Sequence, residues 1–483
     1  MRHMTPSQIL TRHDAAISRR RPHEANWRDA YAHVLPAPHE AASLYDATAA
    51  DATEQLAASL LAELTPPWSR WFGLAPAHDN ADPEAAQALE VTAQTLQAHL
   101  DRSNFAVEMH QAFLDLVITG TGVMLVEEAP PGESSALRFT AVPVRSAILE
   151  EGPAGRLDTV FREARMSTAE MLRRFPFAEI PAAMQREAMD EADQPDPVKH
   201  RLVEAVWPDG SGYRYAAVFD AAALKAPIFV AQGRFADAPF IAFRWLKAPG
   251  ELYGRGPVIK ALPDIRTANR VVELVLKNAS IAVTGIWQAE DDGVLNPATV
   301  QLTPGAIIPK APGSSGLTPL AAPGNFDVSQ LVLNDLRARI RTALLADRLG
   351  VTRDQRMTAT EVLERSAETA RLLGATYGRL QTELLTPLIA RSLAILARRG
   401  EVPPIFTGGG LLDQGRVALR YESPLARVQG RADAANTLLF LDAVSKMGEA
   451  AVAQVDAAAA ARWLARTLGA PAEILTTPSA QPE

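Results

Sequence analysis

Cysteine is absent from the 483 residues, which removes disulfides, thiolate metal sites and cysteine nucleophiles together. Long apolar runs are missing too. No stretch of about 18 uninterrupted apolar residues occurs, and the opening MRHMTPSQIL lacks the apolar core of a signal peptide, so neither secretion nor membrane spanning is expected. Positive charge is not in excess: Lys and Arg number 48 against 56 Asp and Glu, a formal net charge of -8. That excludes a protein that grips nucleic acid with a whole basic face and makes any DNA contact local. Catalytic signatures are also lacking. There is no HExxH, no GxSxG and no phosphate loop; GTG at 120–122 and GRG at 254–256 lack the lysine and the strand-loop-helix setting, and read as turns. The nine histidines are scattered without metal-ligand spacing. The doublets Glu127 and Glu128, Glu150 and Glu151, and Asp291 and Asp292 place neighbours on opposite faces of a strand, a poor acid/base geometry. No catalytic residue, metal or cofactor is expected, and the chain is expected not to be an enzyme.

What is present is an ordinary folded composition, 47% hydrophobic and 22% charged, with length for two or three domain-sized cores. Helices run from Thr5 to about Leu64, broken at Pro36 and Pro38, the second starting near Ser43. They stop at TPPWSRWFGL, where Trp68, Trp71 and Phe72 read as core or subunit contact. Two more helices span 84–119. Gly120 and Gly122 then form a turn before the strand VMLVEE. Further strands follow at LRFTAV, SAILEE, LDTVFREARM, RLVEAVW, YRYAAVF and FIAFRW, with a short helix over Ser167 to Phe175. This is an α+β pattern with antiparallel pairing.

After Pro257 a helical period continues to about Val283, a rod of roughly 40 Å. Its polar stripe, Arg266, Arg270, Glu273 and Lys277, fits a solvated face as well as a functional one. Residues 284–325, rich in Pro and Gly, suggest a small β insertion. An amphipathic helix over 328–349 carries Leu333, Leu336, Ile340 and Leu344 on one side and Arg337, Arg339, Arg341 and Arg348 on the other. Gly350 ends it, and VTRDQRM forms a loop. Thr358 or Thr360 caps a third helix, with Glu361 at the capping-box distance from Thr358. That helix runs to about Arg399, bent by Gly374, Gly378 and Pro387. The strand RVALRYESPL and helices over 431–447 and 449–469 complete the chain.

Five segments in order, LYDATAADATEQLAASLLAELTPPWSRWFGL, DLVITGTGVMLVEE, FRWLKAPGELYGRGPVIKALPDIRTANRV, RMTATEVLERSAE with TPLIARSLAILARRGEVPP, and YESPLARVQ, resemble the portal, or head-to-tail connector, proteins of podovirus-type tailed bacteriophages. RGPVIKALPDIRTAN followed by RMTATEV is the most specific part. The resemblance implies a ring, usually a dodecamer, at one capsid vertex, through which double-stranded DNA is packaged and ejected and to which the tail attaches. It implies an α+β portal fold: N-terminal helices and a wing over 1–256, stem helices over 257–283 and 328–349, a clip over 284–327 and a tunnel loop over 350–358. A long kinked helix with a returning wing strand over 359–430 and a helical crown and tail over 431–483 would follow.

In that mapping Arg353, Gln355 and Arg356 of the tunnel loop face DNA, and Lys277, Arg337, Arg341 and Arg348 line the stem. The implied partners are further copies of the chain, double-stranded DNA irrespective of sequence, terminase, a tail adaptor protein, and the major capsid protein or scaffold, with no membrane. The implied location is the portal vertex of the virion, after assembly in the host cytoplasm. Sparse arginines in an acidic ring would steer a polyanion without the tight hold that comes from neutralising many phosphates at once. Two other classes stay open: a DNA-processing hydrolase with scattered wing carboxylates, and a helical adaptor or scaffold in which Arg353 and Arg356 only form salt bridges.

Overall fold

A computed structural model describes residues 4–468 apart from 39–42, 77–82, 192–193, 195, 211, 222–223, 285–286, 290–311, 313–316, 320–325, 347–373, 375, 404–416, 423, 449–450 and 452–453. Helix α1 (Pro6–Val34) opens on a reciprocal cap. Gln8 N donates to Thr5 Oγ1 at 3.3 Å and Thr5 N to Gln8 Oε1 at 2.9 Å, which satisfies two N–H groups that the first turn leaves free. Helix α2 (Thr48–Leu64) starts later than the Ser43 expected from sequence. Asp46 Oδ1 accepts from Thr48 N at 2.9 Å and so sets the start.

The aromatic run after α2 divides. Trp71 and Phe72 are buried edge to face at 4.9 Å, and Trp71 stacks on Phe105, while Trp68 stays 72% exposed. Phe72 begins β1 (Phe72–Pro76), a strand the sequence pattern did not reveal. Helices α3 (Pro83–Arg102) and α4 (Phe105–Thr119) follow, the latter ended by Gly120 at φ 91°. Only Gly120 makes the turn. Gly122 lies inside β2 (Thr121–Glu128), where an added Cβ would come 2.6 Å from the Phe243 ring.

The sheet region contains β3 (Leu137–Ala141), β4 (Ala147–Glu151), β5 (Leu157–Met166), α5 (Thr168–Arg174), α6 (Ala182–Glu191), β6 (His200–Asp209), β7 (Gly212–Asp220), β8 (Ile228–Phe235) and β9 (Phe240–Arg244). Pairing is antiparallel throughout, in a five-stranded sheet β4-β5-β6-β7-β8 and a three-stranded sheet β3-β2-β9. The α+β class holds. Strand β8 escaped the sequence reading because most of its residues are half-buried or exposed, so no clean apolar alternation marks it.

Helix α7 (Pro257–Thr284) matches the expected rod. Short strands β10 (Trp287–Ala289) and β11 (Leu317–Pro319) pair antiparallel beyond it and lead to α8 (Phe326–Ala343). Helix α8 ends earlier than the expected 349: Leu344 is buried, and Leu345 takes the left-handed conformation at φ 58°. A helical stretch from Thr376 widens into a π turn at Gln381–Leu385 and continues as α9 (Thr386–Arg398). This stretch is long and apolar enough to cross a membrane, and 67% of its apolar window is buried within the protein, among the residues of the main core. Strand β12 (Val417–Tyr421) pairs with β1, and α10 (Pro424–Lys446) and α11 (Ala457–Leu468) follow.

Candidate functional site

The α7–α8 hairpin is built from two apolar stripes at helical spacing. Val258, Ala261, Leu262, Ile265 and Ala268 of α7 and Leu333, Leu336 and Ile340 of α8 are all buried in the main core. Burial then stops. Leu274 and Leu276, farther along α7, are 45% and 53% exposed, and Leu331 and Val332, at the matching end of α8, are 72% and 44% exposed. The hairpin leaves its core as an arm: Leu276 and Val332 prolong its buried sides, uncovered, while Leu274 and Leu331, nine residues from Ile265 and Ile340, lie on the opposite faces.

Its polar groups tie the arm to the helices beneath. Arg266 pairs with Asp29 of α1. Asn269 Oδ1 accepts from Tyr45 N at 2.7 Å and Asp46 N at 3.1 Å, and Asn269 Nδ2 donates to Ser43 O at 3.2 Å. Arg337 Nε donates to Asp46 Oδ2 at 2.8 Å. Burial works against the charge on Asp46, but the Thr48 hydrogen bonds and the Arg337 contact outweigh it and hold the carboxyl below its usual range. Asp46, one residue before the N-cap, therefore holds the first N–H of α2 and anchors α8 at once.

The expected channel residues separate on this geometry. Lys277 is exposed and donates to Glu273 at 2.7 Å, and Arg270 reaches the same carboxylate at 2.6 Å. Arg339 bridges to Asp264 of α7 at 2.9 Å. Arg337 is engaged by Asp46, half-buried, and is not a free lining cation. Arg341 is exposed in the last turn of α8, without an ion-pair partner among the described residues. Arg348, Arg353, Gln355 and Arg356, with the Thr358 and Thr360 caps, lie outside the described residues.

A second joint was not foreseen. Arg244, 1% exposed, donates to Glu383 through Nη2 at 2.7 Å and through its backbone N at 2.9 Å. It also reaches Glu151 at 3.2 Å and the carbonyls of Leu252 and Gly155 at 3.2 and 3.1 Å. Lys247 completes the cluster on Glu151, and Arg379 on Glu383. Burial raises Glu151, but the hydrogen bonds from Lys247 and Arg244 overcome it and leave the carboxyl below its usual range. Glu383 belongs to the π turn, whose extra residue per turn alters the helix face presented there. One buried guanidinium thus joins the strands to the helix that precedes α9.

The two glycine motifs meet at a third joint. Gly254 N donates to Thr121 Oγ1 at 2.9 Å; a Cβ on Gly254 would lie 2.0 Å from Gly120 O, and one on Gly256 2.5 Å from Val117 O. Only Gly120 turns the chain, contrary to the expectation for both motifs; Gly120, Gly254 and Gly256 are glycine because two backbones touch here. The Glu150–Glu151 doublet is held by cations, Glu150 by Arg12 and Arg19 and Glu151 by Arg244 and Lys247, while exposed Glu128 meets Arg398 and Arg399 only at 3.9 and 3.8 Å. Asp291 and Asp292 lie outside the described residues.

A family model described as bacteriophage head to tail connecting protein matches residues 6–475. A probable portal protein of Bordetella phage BPP-1 is 25% identical over 396 residues, 75% of this chain and 67% of that protein. The portal protein of Salmonella phage epsilon15 is 24% identical over 382 residues, 74% of this chain and 66% of that protein. The chain thus spans about two thirds of the length of these relatives. A chain from the neck of a native GTA particle, computed with C12 symmetry, aligns over 84% of this chain and 87% of its own length at 12% identity, with a TM-score of 0.37.

Proposed function

The chain belongs to the bacteriophage head to tail connecting protein family, and from that premise we propose that it is a portal, forming a closed ring at one capsid vertex through which double-stranded DNA is packaged and ejected. The observation that carries this reading is the family match over nearly the whole chain. The uncovered apolar side chains Leu274, Leu276, Leu331 and Val332 on the α7–α8 arm support it, since a neighbouring copy would cover them. On this reading residues 1–256 are the wing with its N-terminal helices, 257–283 and 328–349 the stem, 284–327 the clip and 431–483 the crown and tail. Terminase, a tail adaptor and capsid protein or scaffold are the proposed partners, and the ATPase that drives packaging is one of them.

The charge arrangement of the arm fits passage of a polyanion. Arg266, Arg270, Lys277, Arg337 and Arg339 each have a carboxylate partner within the chain. Paired and screened cations release few counterions when phosphates slide past, so the duplex is not held tightly. Arg341 and, on the resemblance alone, Arg353, Gln355 and Arg356 remain as the proposed phosphate contacts, which carry no base information. In particles assembled with Arg353→Ala and Arg356→Ala together, ring assembly should be unchanged while packaging or retention of DNA falls. Full-length DNA packaged and held as in the parent would remove the loop from the channel role. The hydrolase reading loses ground because Glu150 and Glu151 are occupied by arginine and lysine side chains.

A further inference from the structure

Helix α6 carries Glu187 and Glu191 four residues apart, hence on one face, and His200 opens the strand that follows. One ligand-capable atom from each of the three lies within 4.8 Å of the others. The histidine is 6% exposed and held edge to face on Phe219 at 5.6 Å; Glu191 is likewise 6% exposed. His200 Nε2 lies 2.9 Å from Glu187 Oε1, and Glu191 Oε2 accepts from Ala169 N, in the first turn of α5, at 2.9 Å. The other two oxygens, Glu187 Oε2 and Glu191 Oε1, are buried with no hydrogen-bond partner.

This arrangement is costly as it stands. Like charges at i,i+4 on a helix repel. Each buried acceptor without a donor costs about 1–3 kcal/mol, and more when charged. The imidazole can serve Glu187 Oε1, but it serves neither orphaned oxygen. One divalent cation among the three groups would resolve both problems, because its charge matches two carboxylates and it accepts electron pairs where no N–H is at hand. The donor set selects the kind of cation. One imidazole nitrogen with two carboxylate oxygens suits a zinc-class transition ion with a remaining position for water. Calcium and magnesium prefer all-oxygen shells with more ligands. The Ala169 N–H on Glu191 Oε2 fixes that carboxylate and leaves Oε1 as the ligand, the outer support typical of metal sites.

We propose that Glu187, Glu191 and His200 bind one divalent transition-metal cation of the zinc class, which pins the α5–α6 excursion to the five-stranded sheet. The cation would replace the hydrogen bond between His200 Nε2 and Glu187. Residues 167–199 otherwise rest on a small apolar cluster around Met171, Met184, Leu202 and Phe219, so a staple there has a structural task. The site is independent of the portal reading.

The test uses the full chain, stripped with EDTA and titrated calorimetrically with ZnCl2. One Zn2+ per chain is expected, with a melting temperature that rises on loading and falls again with EDTA. Glu191→Gln and His200→Ala should each weaken binding more than about 100-fold, beyond the 10–100-fold that loss of outer support costs. His110→Ala, away from the cluster, should bind as the parent does. Hydrogen exchange over 167–199 should slow in the loaded chain. A parent chain that takes up no Zn2+ overturns the proposal whether or not the variants fold, and so does equal binding by a folded Glu187→Gln, Glu191→Gln, His200→Ala triple variant.

Discussion

Arg244 places a full positive charge in the interior, and its contacts to Glu383, Glu151 and the Leu252 and Gly155 carbonyls explain why it can stay there. Replacing it with Met leaves Glu383 and Glu151 facing the space it filled, each with one remaining cation, Arg379 and Lys247. Breaking such a buried pair from one side costs about 3–5 kcal/mol. The urea midpoint of Arg244→Met should fall accordingly, and Glu383→Leu in the same chain should restore part of the loss. Asp46 and Glu151 bring pH into play. Both have folded pKa values below the ordinary carboxylate range, so the unfolded chain binds more protons as acid is added. Their contribution is complete above about pH 5, clear of the unfolded carboxylate range, and is lost as pH falls through the depressed folded values. Arg337→Ala leaves a buried acceptor short of a donor, costs about 1–3 kcal/mol at neutral pH, and should flatten the acid limb of the stability curve. An unchanged acid limb would show that the Asp46 tie does not operate.

Among the elements, the contact of the Gly120 turn with the Gly254-Arg255-Gly256 loop sets where α7 leaves the sheet region. Gly254→Ala brings Cβ against Gly120 O, a backbone atom that cannot rotate away, so about 1–3 kcal/mol of strain is expected. A thermal shift should show it, whereas Gly250→Ala meets nothing within 4 Å and pays only for its positive φ of 79°. Helix α7 was legible because its apolar residues repeat at helical spacing over seven turns, and the strands β5, β6 and β7 because they are long and β-branched or aromatic. The joints were not. Arg244 and Glu383 are 139 residues apart, Asn269 and Asp46 223, and each residue taken singly reads as an ordinary polar surface position. The same holds for Glu187, Glu191 and His200, whose spacing matches no ligand motif and whose grouping depends on how α6 packs on the sheet. Strand β1 was hidden because its partner β12 lies more than 300 residues later.

At the scale of the whole molecule, the chain is acidic, with a net charge of -8, and its arm carries exposed apolar side chains on more than one face. Leu274, Leu276, Leu331 and Val332 are left exposed among the described residues, and Leu438, Leu439 and Phe440 of α10 add a second exposed group. A closed cyclic assembly covers such surfaces and leaves no free end. Introducing Lys at Leu276 and Leu331 together should keep the helical content and block assembly. The most direct test is negative-stain imaging, with mass photometry, of the purified full chain at micromolar concentration. Closed rings with a central hole wide enough for a DNA duplex are expected for the parent and folded single chains for Leu276→Lys with Leu331→Lys. A parent that remains a folded monomer with the arm's helicity intact would contradict the ring.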